Sequence, residues 1–535
     1  LIEDFVASRE IPNSQKLILW SVYEFGLYDI ANALIRAHRS GIEVRVITDG
    51  KSVTENPSDN NHSSDNARNT LTQDVYRILT EAGIPVSYSD PEWAPFASLM
   101  HEKVRIFARK SSKDSVPVPL FAYLSTHNDT YSETLGDPRS DLSPERLRQG
   151  NLGPEELVEG SRGNVQQSFI LRHGALLRSL VKNFLDQERH YGQGRGRISG
   201  LPQQAPSQFN LQDGSVIRIF FTYGQKTRGY NPNSAKAAFF EELDQPGGPR
   251  AKHIRIKQFV FSFDPVENAL KALMDRSEAE LIVSVDGKMG LTNWSKARTI
   301  GGLYSVFTRA QDPIELPWSV EQAQRADVRY FRSRFDKLHS KTTLVTYESA
   351  KGELRHRIFT GSLNLSANGV SNKEVFFEID TQDERLPVLL ASQDEAMKAH
   401  GELEVLAHAA LFNRLMGSAF QCGYRRPVDG ETKAAFQTFL QSLGLEAWGS
   451  LDILTRGLSS GSNRFLDSVG RFYRSSRHHS SGPCVVAELA DQIKKLPQWE
   501  TRVDSAELAL TLVDDKSTMK PHTSEAILKA LKNSF

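Results

Sequence analysis

The chain repeats itself at an interval close to half its length, and that repetition narrows the architectures open to it. Near the start, LILWSVYEF (17–25) reads as a strand. DIANALIRAHRSG follows with Ile30, Leu34 and Ala37 on one helical face and Gly41 as a stop, and IEVRVITDG (42–50) alternates like a second strand. The same grammar returns as IKQFVFSF (256–263), DPVENALKALM and AELIVSVDG (279–287). In the second helix Asp264 is expected as N-cap, Pro265 as the first helical residue and Glu267 as the closing member of a capping box. Asn32-Ala33-Leu34 recurs 236 positions later as Asn268-Ala269-Leu270, and Asp49-Gly50 recurs 237 positions later as Asp286-Gly287. Strand, helix and strand in this order make a β-α-β unit, so two related α/β halves are expected.

A second pair of markers keeps the same register. MHEKVRIF carries His101 and Lys103, and YLSTHNDT downstream carries Thr126 and Asn128. LHSKTTLV carries His339 and Lys341, and FTGSLNLS carries Ser362 and Asn364. The histidines are 238 positions apart and the asparagines 236. Residues i and i+2 of a strand share a face, so the histidine and lysine of H-x-K are expected to project into one cleft. Two such sets supply fixed positive charge for the non-bridging oxygens of a phosphate. They also supply one imidazole to attack phosphorus and one to protonate the leaving oxygen.

These motifs resemble those of the phospholipase D superfamily, whose signature is a paired H-x-K-x4-D with a downstream G-S-x-N. The resemblance runs over roughly residues 15–400. The second copy has His339-Ser340-Lys341, Gly361-Ser362-Leu363-Asn364 and Asn372-Lys373-Glu374; the first has Ser125-Thr126-His127-Asn128 and Asn164-Val165-Gln166 in the matching places. Ala108 and Thr346 stand where the signature has aspartate, a lack shared with the branch that cleaves tyrosyl-DNA phosphodiesters. The resemblance implies two pseudo-symmetric α-β-α sandwich domains with mixed sheets, here with a helical C-terminal region. It also implies a two-step mechanism through a phosphohistidine. Glu374, taken as the partner of His339, would favour imidazolium and suit His339 to the acid/base role. Gln166, taken as the partner of His101, would leave His101 neutral and nucleophilic. Lys103, Lys341, Asn128 and Asn364 would bind phosphoryl oxygens, helped by Thr126 and Ser362. No cofactor is called for, and no metal, because the lysines bring the charge a metal would supply.

The substrate divides into two readings. PEWAPFASLM places Trp93, Phe96 and Met100 at the mouth of the site, where they could dip into a lipid interface. RYFRSRFDKLHSK interleaves Arg329, Arg332, Arg334 and Lys337 with aromatics and could grip a nucleic-acid backbone or an anionic lipid surface. Lysine plus arginine (65) equals aspartate plus glutamate (65), which argues against a protein whose main task is coating nucleic acid. The expectation is therefore a phospholipase D-type phosphodiesterase acting as a monomer on phospholipid or a membrane surface, by hydrolysis and with headgroup transfer left open, and with a nuclease or nucleic-acid end-processing phosphodiesterase as the alternative. No apolar run is long enough to span a bilayer.

Organisation follows from composition. A first catalytic half is expected over 1–200, a linker over 201–215, a second half over 216–400 and a helical region over 401–535. The linker lies in a stretch (188–215) rich in Gly, Gln, Pro and Ser, and 131–160 reads as an inserted loop. His127 is expected to point away from the cleft. His478-His479 reads as a solvated loop rather than a metal site. Cys422 and Cys484 are the only cysteines, so one bridge is open to the chain but no disulfide framework. The chain opens Leu-Ile-Glu-Asp. A removed export signal and a trimmed terminus explain that start equally well, and a secreted or periplasmic protein is expected.

Overall fold

The computed structural model describes residues 1–53, 63–90, 99–111, 116–159, 164, 166–201, 204, 206–222, 250–286, 289, 295–300, 322, 325–331, 337–399 and 403–404. Trp93, Phe96, Arg332, Arg334, Cys422, Cys484, His478, His479 and the expected helical C-terminal region lie outside them. The chain divides into two compact units. The first comprises residues 1–252, 257–259 and 335–388, and the second 253–256, 260–334 and 389–535. Both histidine motifs fall in the first.

That unit is mixed α/β. Strands β1 (Lys16–Val22), β2 (Glu43–Thr48), β3 (Val86–Tyr88), β4 (Lys103–Arg109), β5 (Val118–Ser125) and β6 (Ser168–Leu171) form a six-stranded sheet in the order β3-β2-β1-β4-β5-β6. β1 to β3 are parallel and β4 to β6 antiparallel. The strand-helix-strand unit read from sequence is β1, the helix Tyr28–Arg39 and β2. Alternation along the strands decides which core each side chain enters. Ile18, Trp20 and Val22 of β1 pack with Leu34 and Ala37 of that helix and with Val75 and Leu79 of the helix Ser63–Glu81. Leu17 and Leu19 point the other way, onto Leu177, Leu180 and Phe184 of the helix Gly174–Tyr191. Both faces are covered, which is why β1 is apolar almost throughout.

The same second core takes in Ile219 of β8 (Val216–Phe221, after β7 at Ser207–Asn210) and Val375 and Phe377 from the second motif copy. The stretch read as linker is therefore built into the fold. Its first residues finish a helix, and β7 pairs with β8. β8 in turn pairs antiparallel with Val375–Thr381, which pairs with Leu354–Gly361, which pairs with Lys341–Glu348. In chain order, β9 is Arg250–Gln258, β10 Glu280–Asp286 and β11 Ala326–Phe331, so these three become β14, β13 and β12.

In the second unit β10 and β11 are parallel neighbours. The helix Asp264–Arg276 buries Val266, Leu270, Leu273 and Met274. The helix starts one residue earlier than expected: Phe263 is the N-cap, with no side-chain cap, and Asp264 and Pro265 are the first two helical residues. Glu267 is buried and paired with Lys271 of the same helix at 3.4 Å and with Lys296 at 3.2 Å. The other end is closed by Arg325, which donates to the carbonyls of Met274 (2.7 Å) and Ser277 (2.6 Å).

Candidate active site

Each H-x-K enters a strand rather than lying within it. Lys103 is the first residue of β4 and Lys341 the first of β12, with His101 and His339 two residues ahead in extended chain. Each lysine donates back to the carbonyl of its own histidine at 2.9 Å. All four side chains are buried, at 7% exposure or less. An aromatic ring stands against each pair. Tyr23 is 5.1 Å from the His101 ring and 5.7 Å from the Lys103 ammonium, while Phe259 is 4.7 Å from the His339 ring and 5.8 Å from the Lys341 ammonium. Tyr23 and Phe259 are 236 positions apart, so they belong to the repeat and were findable from it.

The copies lock together by exchange. The Asn372 side chain accepts from the Leu99 backbone at 3.0 Å, and the Asn164 side chain accepts from the Lys337 backbone at 2.9 Å, so each copy's Asn-x-Glu/Gln segment is docked on the other copy's histidine loop. His101 N donates to Lys373 O at 2.9 Å and Lys373 N to Leu99 O at 2.8 Å. Lys341 donates across to Thr126 O at 3.2 Å.

This exchange corrects the expected partners. Glu374 lies against His101, with both carboxylate oxygens on Nδ1 at 2.8 and 2.9 Å, not against His339. His339 Nδ1 instead faces Glu133 at 3.4 Å. Gln166 touches neither ring: its amide donates to Glu133 O at 2.5 Å. Glu133 was missed because it sits in the stretch read as an inserted loop. That stretch carries the short helices Tyr131–Thr134 and Pro144–Gln149, and it is fastened down. Arg148 pairs with Asp74 at 2.7 Å, and the Asn151 backbone donates to Asp29 at 2.5 Å.

The asparagines are held from behind. Glu133 takes one hydrogen of Asn128 Nδ2 at 3.0 Å and the Asn128 backbone N–H at 2.5 Å. The side-chain oxygens Oδ1 of Asn128 and Asn364 are buried and have no hydrogen-bond partner among the described residues. Thr126 and Ser362 both anchor the chain, and Ser362 also faces the site, its hydroxyl bonded to Glu374 and its backbone to His101. Thr126 exchanges bonds with the Gln167 backbone, and Ser362 with that of Val375. Gly361, just before Ser362, has φ +142°, and a Cβ there would lie 2.6 Å from Phe376 Cα and closer still to Val375 O. Gly361→Ala should destabilise the protein by about 1–3 kcal/mol from backbone conformation alone. The denaturant midpoint measures it, and an unchanged midpoint would contradict this geometry.

Burial, then the nearby lysines, drive both imidazolium forms well below the ordinary histidine range, so the empty site favours neutral rings. Burial pulls Lys103 down to about 8 and Lys341 well below its usual value, and it pushes Glu374 up to about 8 against the pull of Lys103. The short Glu374–Nδ1 contacts hold a proton between them and leave Nε2 as the lone-pair nitrogen of His101.

Other expectations move. Met100 is fully buried, with Ser21 Oγ 3.7 Å from its sulfur, so it forms no apolar mouth. Arg329 is buried against Asp327 at 2.6 Å, and its charge is spent there. His127 is occupied by Asn128 O at 2.9 Å and Tyr123 Oη at 3.1 Å. The signature aspartate position lies five residues beyond the lysine, roughly 17 Å down a strand. There Ala108 is core and Thr346 bonds His356 at 3.0 Å, well away from the two His-Lys pairs.

No curated protein matches the chain. Among solved structures, phosphatidylserine synthase of Haemophilus influenzae Rd KW20 is 13% identical, with 76% of this chain and 85% of that one covered and a TM-score of 0.45. A yeast tyrosyl-DNA phosphodiesterase mutant is 8% identical, covering 71% and 86%, with a TM-score of 0.31. Polyphosphate kinase of Porphyromonas gingivalis is 12% identical, covering 74% of this chain but only 44% of its own length, with a TM-score of 0.41. Among the described residues no helix is long and apolar enough to cross a membrane. Residues 8–137, which hold the whole first H-x-K and its asparagine, match the family model described as cardiolipin synthase, phospholipase D-like domain, and it is the phospholipase D superfamily that this chain resembles.

Proposed function

We propose that the chain is a phosphodiesterase of phospholipase D type that hydrolyses phospholipid headgroup esters through a covalent phosphohistidine. One observation carries the reading: two buried His-Lys pairs, each histidine backed by a carboxylate, lie close enough that both lysines bear on both rings. His101 is the nucleophile. Its Nε2 attacks phosphorus, the bond to the leaving oxygen breaks, and the positive charge that develops on the ring meets Glu374 at Nδ1. The bound phosphodiester brings a negative charge that offsets the lysines and lets His339 take up a proton; oriented by Glu133, His339 gives that proton to the leaving oxygen. It then takes one from water, which attacks phosphorus and releases His101. Lys103 and Lys341 neutralise the non-bridging oxygens. Nucleophile and acid keep the roles expected from sequence, but for the opposite reason: a carboxylate behind the nucleophile stabilises its phosphorylated, cationic form.

The lipid reading is supported by the family match over 8–137, described in terms of cardiolipin synthase. The test sets headgroup release from mixed micelles of phosphatidylglycerol or phosphatidylcholine beside cleavage of a single-stranded oligonucleotide. Headgroup release is expected, and cleavage of the oligonucleotide alone would overturn the lipid reading.

A further inference from the structure

Behind His101, and not behind His339, lies a closed polar cluster that no step of the chemistry uses. Glu102, between His101 and Lys103, is 1% exposed, and Lys373, beside Glu374, is fully buried. They form an ion pair at 2.8 Å. The Lys373 ammonium also donates to Asn183 Oδ1 at 2.8 Å and rests 4.9 Å from the centre of the Phe221 ring. Three further donors close on the Glu102 carboxylate: Asn183 Nδ2 at 3.0 Å, Gln187 Nε2 at 2.8 Å and Ser21 Oγ at 3.2 Å. Asn183 and Gln187 come from the helix Gly174–Tyr191, and Ser21 from β1. In the second copy, the neutral Ser340 fills the place of Glu102 and bonds the neutral Gln167.

We infer that Glu102 and Lys373 are positioning residues for His101: their pairing clamps the segment bearing the nucleophile to the segment bearing Glu374. Each is covalently next to one member of the His101–Glu374 contact, and apart from them the two segments are joined chiefly by the short backbone bridge at Met100 and Lys373. A fully buried pair gives little net stability over well-packed neutral side chains, so what it contributes here is register. Register matters for a nucleophile because a misplacement of about 1 Å can lower a rate roughly a hundredfold. The inference rests on His101 being the nucleophile, and it concerns the one histidine that must meet phosphorus along a fixed line.

Removing one partner leaves a buried charge uncompensated and can unfold the protein, so the informative variant is the double neutral one, Glu102→Gln with Lys373→Met. Leu79→Ala, a cavity in the other core on the far face of β1, serves as the control for simple loss of stability. Two signals are read: the nitrogen-15-edited resonance of the His101 Nδ1 proton, and the burst of nitrophenolate from bis(4-nitrophenyl) phosphate. In the folded double variant the resonance should broaden through faster exchange and the burst rate should fall about ten- to hundredfold. Leu79→Ala should keep both. A double variant that matches the control in both signals would overturn the positioning role. A wild-type protein that gives no burst would instead count against the phosphodiesterase reading, while the resonance still decides what the pair does.

Discussion

His101→Ala should abolish turnover on every phosphodiester, while His339→Ala should lose activity only where the leaving group needs a proton. With an alkoxide leaving group, protonation in the transition state is worth about 10²–10⁴-fold, so His339→Ala should fall by that factor on a lipid or a dialkyl phosphate. Nitrophenolate leaves without help, and the variant should still give a near-normal burst from bis(4-nitrophenyl) phosphate before stalling at the phosphohistidine, whose hydrolysis needs the same residue as base. His101→Ala should give no burst and no acid-labile, alkali-stable phosphoprotein, with a loss on the order of 10⁴-fold or more. Glu133→Gln should carry the signature of His339→Ala at reduced size, with a smaller loss common to both substrate types because Glu133 also holds Asn128. The measurement is rapid-quench kinetics on the two substrate types. If the burst vanished in His339→Ala and survived in His101→Ala, the roles drawn from the two carboxylates would be reversed.

What could be read from the chain alone was whatever the duplication wrote twice. The β-α-β units and both His-Lys-Asn sets stand in register over half the chain, and the six-stranded sheet is the expected mixed α/β layer with helices on both faces. The errors came from treating each copy as self-contained. Glu374 follows His339 by 35 positions and was assigned to it, yet the Asn-x-Glu segment crosses to His101. Sequence distance carries no information about such an exchange, because the pairing is decided by which loop ends meet above the sheets. Glu133 had no twin to reveal it: the second copy supplies its carboxylate from Glu374, and the first supplies one from the turn after Asn128. The capping box at Asp264 failed for a local reason. The helix starts at Asp264 with Phe263 as N-cap, which leaves Glu267 one residue past the N3 position a capping box needs, and Glu267 pairs with Lys271 and Lys296. Met100 and Arg329 were placed at the surface on composition, and composition cannot tell a fully buried methionine or a paired arginine from surface residues; their companions Trp93, Phe96, Arg332 and Arg334 lie outside the described residues.

The buried lysines make affinity for an anion depend on pH in a fixed direction. A non-hydrolysable phosphonate monoester keeps one negative charge from pH 5 to 10, so any change in its binding reports the protein. In the empty site burial holds Lys103 near 8. A bound anion beside it favours the ammonium, so the pKa in the complex must be higher than in the free protein. Below about pH 8 the lysine is already charged and binding takes up no proton from it. Above that, each binding event must draw one proton, and affinity should fall by up to tenfold per pH unit until the pKa of the complex is reached. Calorimetry in buffers of different ionisation enthalpy should show the uptake between about pH 8 and 10, and Lys103→Met should remove that part of it while weakening binding below pH 8. Folding runs the other way. The unfolded lysine titrates near 10.4, so through this group the empty protein gains stability as pH rises from about 8 towards 10 and loses it as pH falls through 8. Ligand and fold therefore pull Lys103 in opposite directions. Affinity that stayed level or rose between pH 7 and 9.5 would mean that the lysines are not what holds the phosphoryl oxygens.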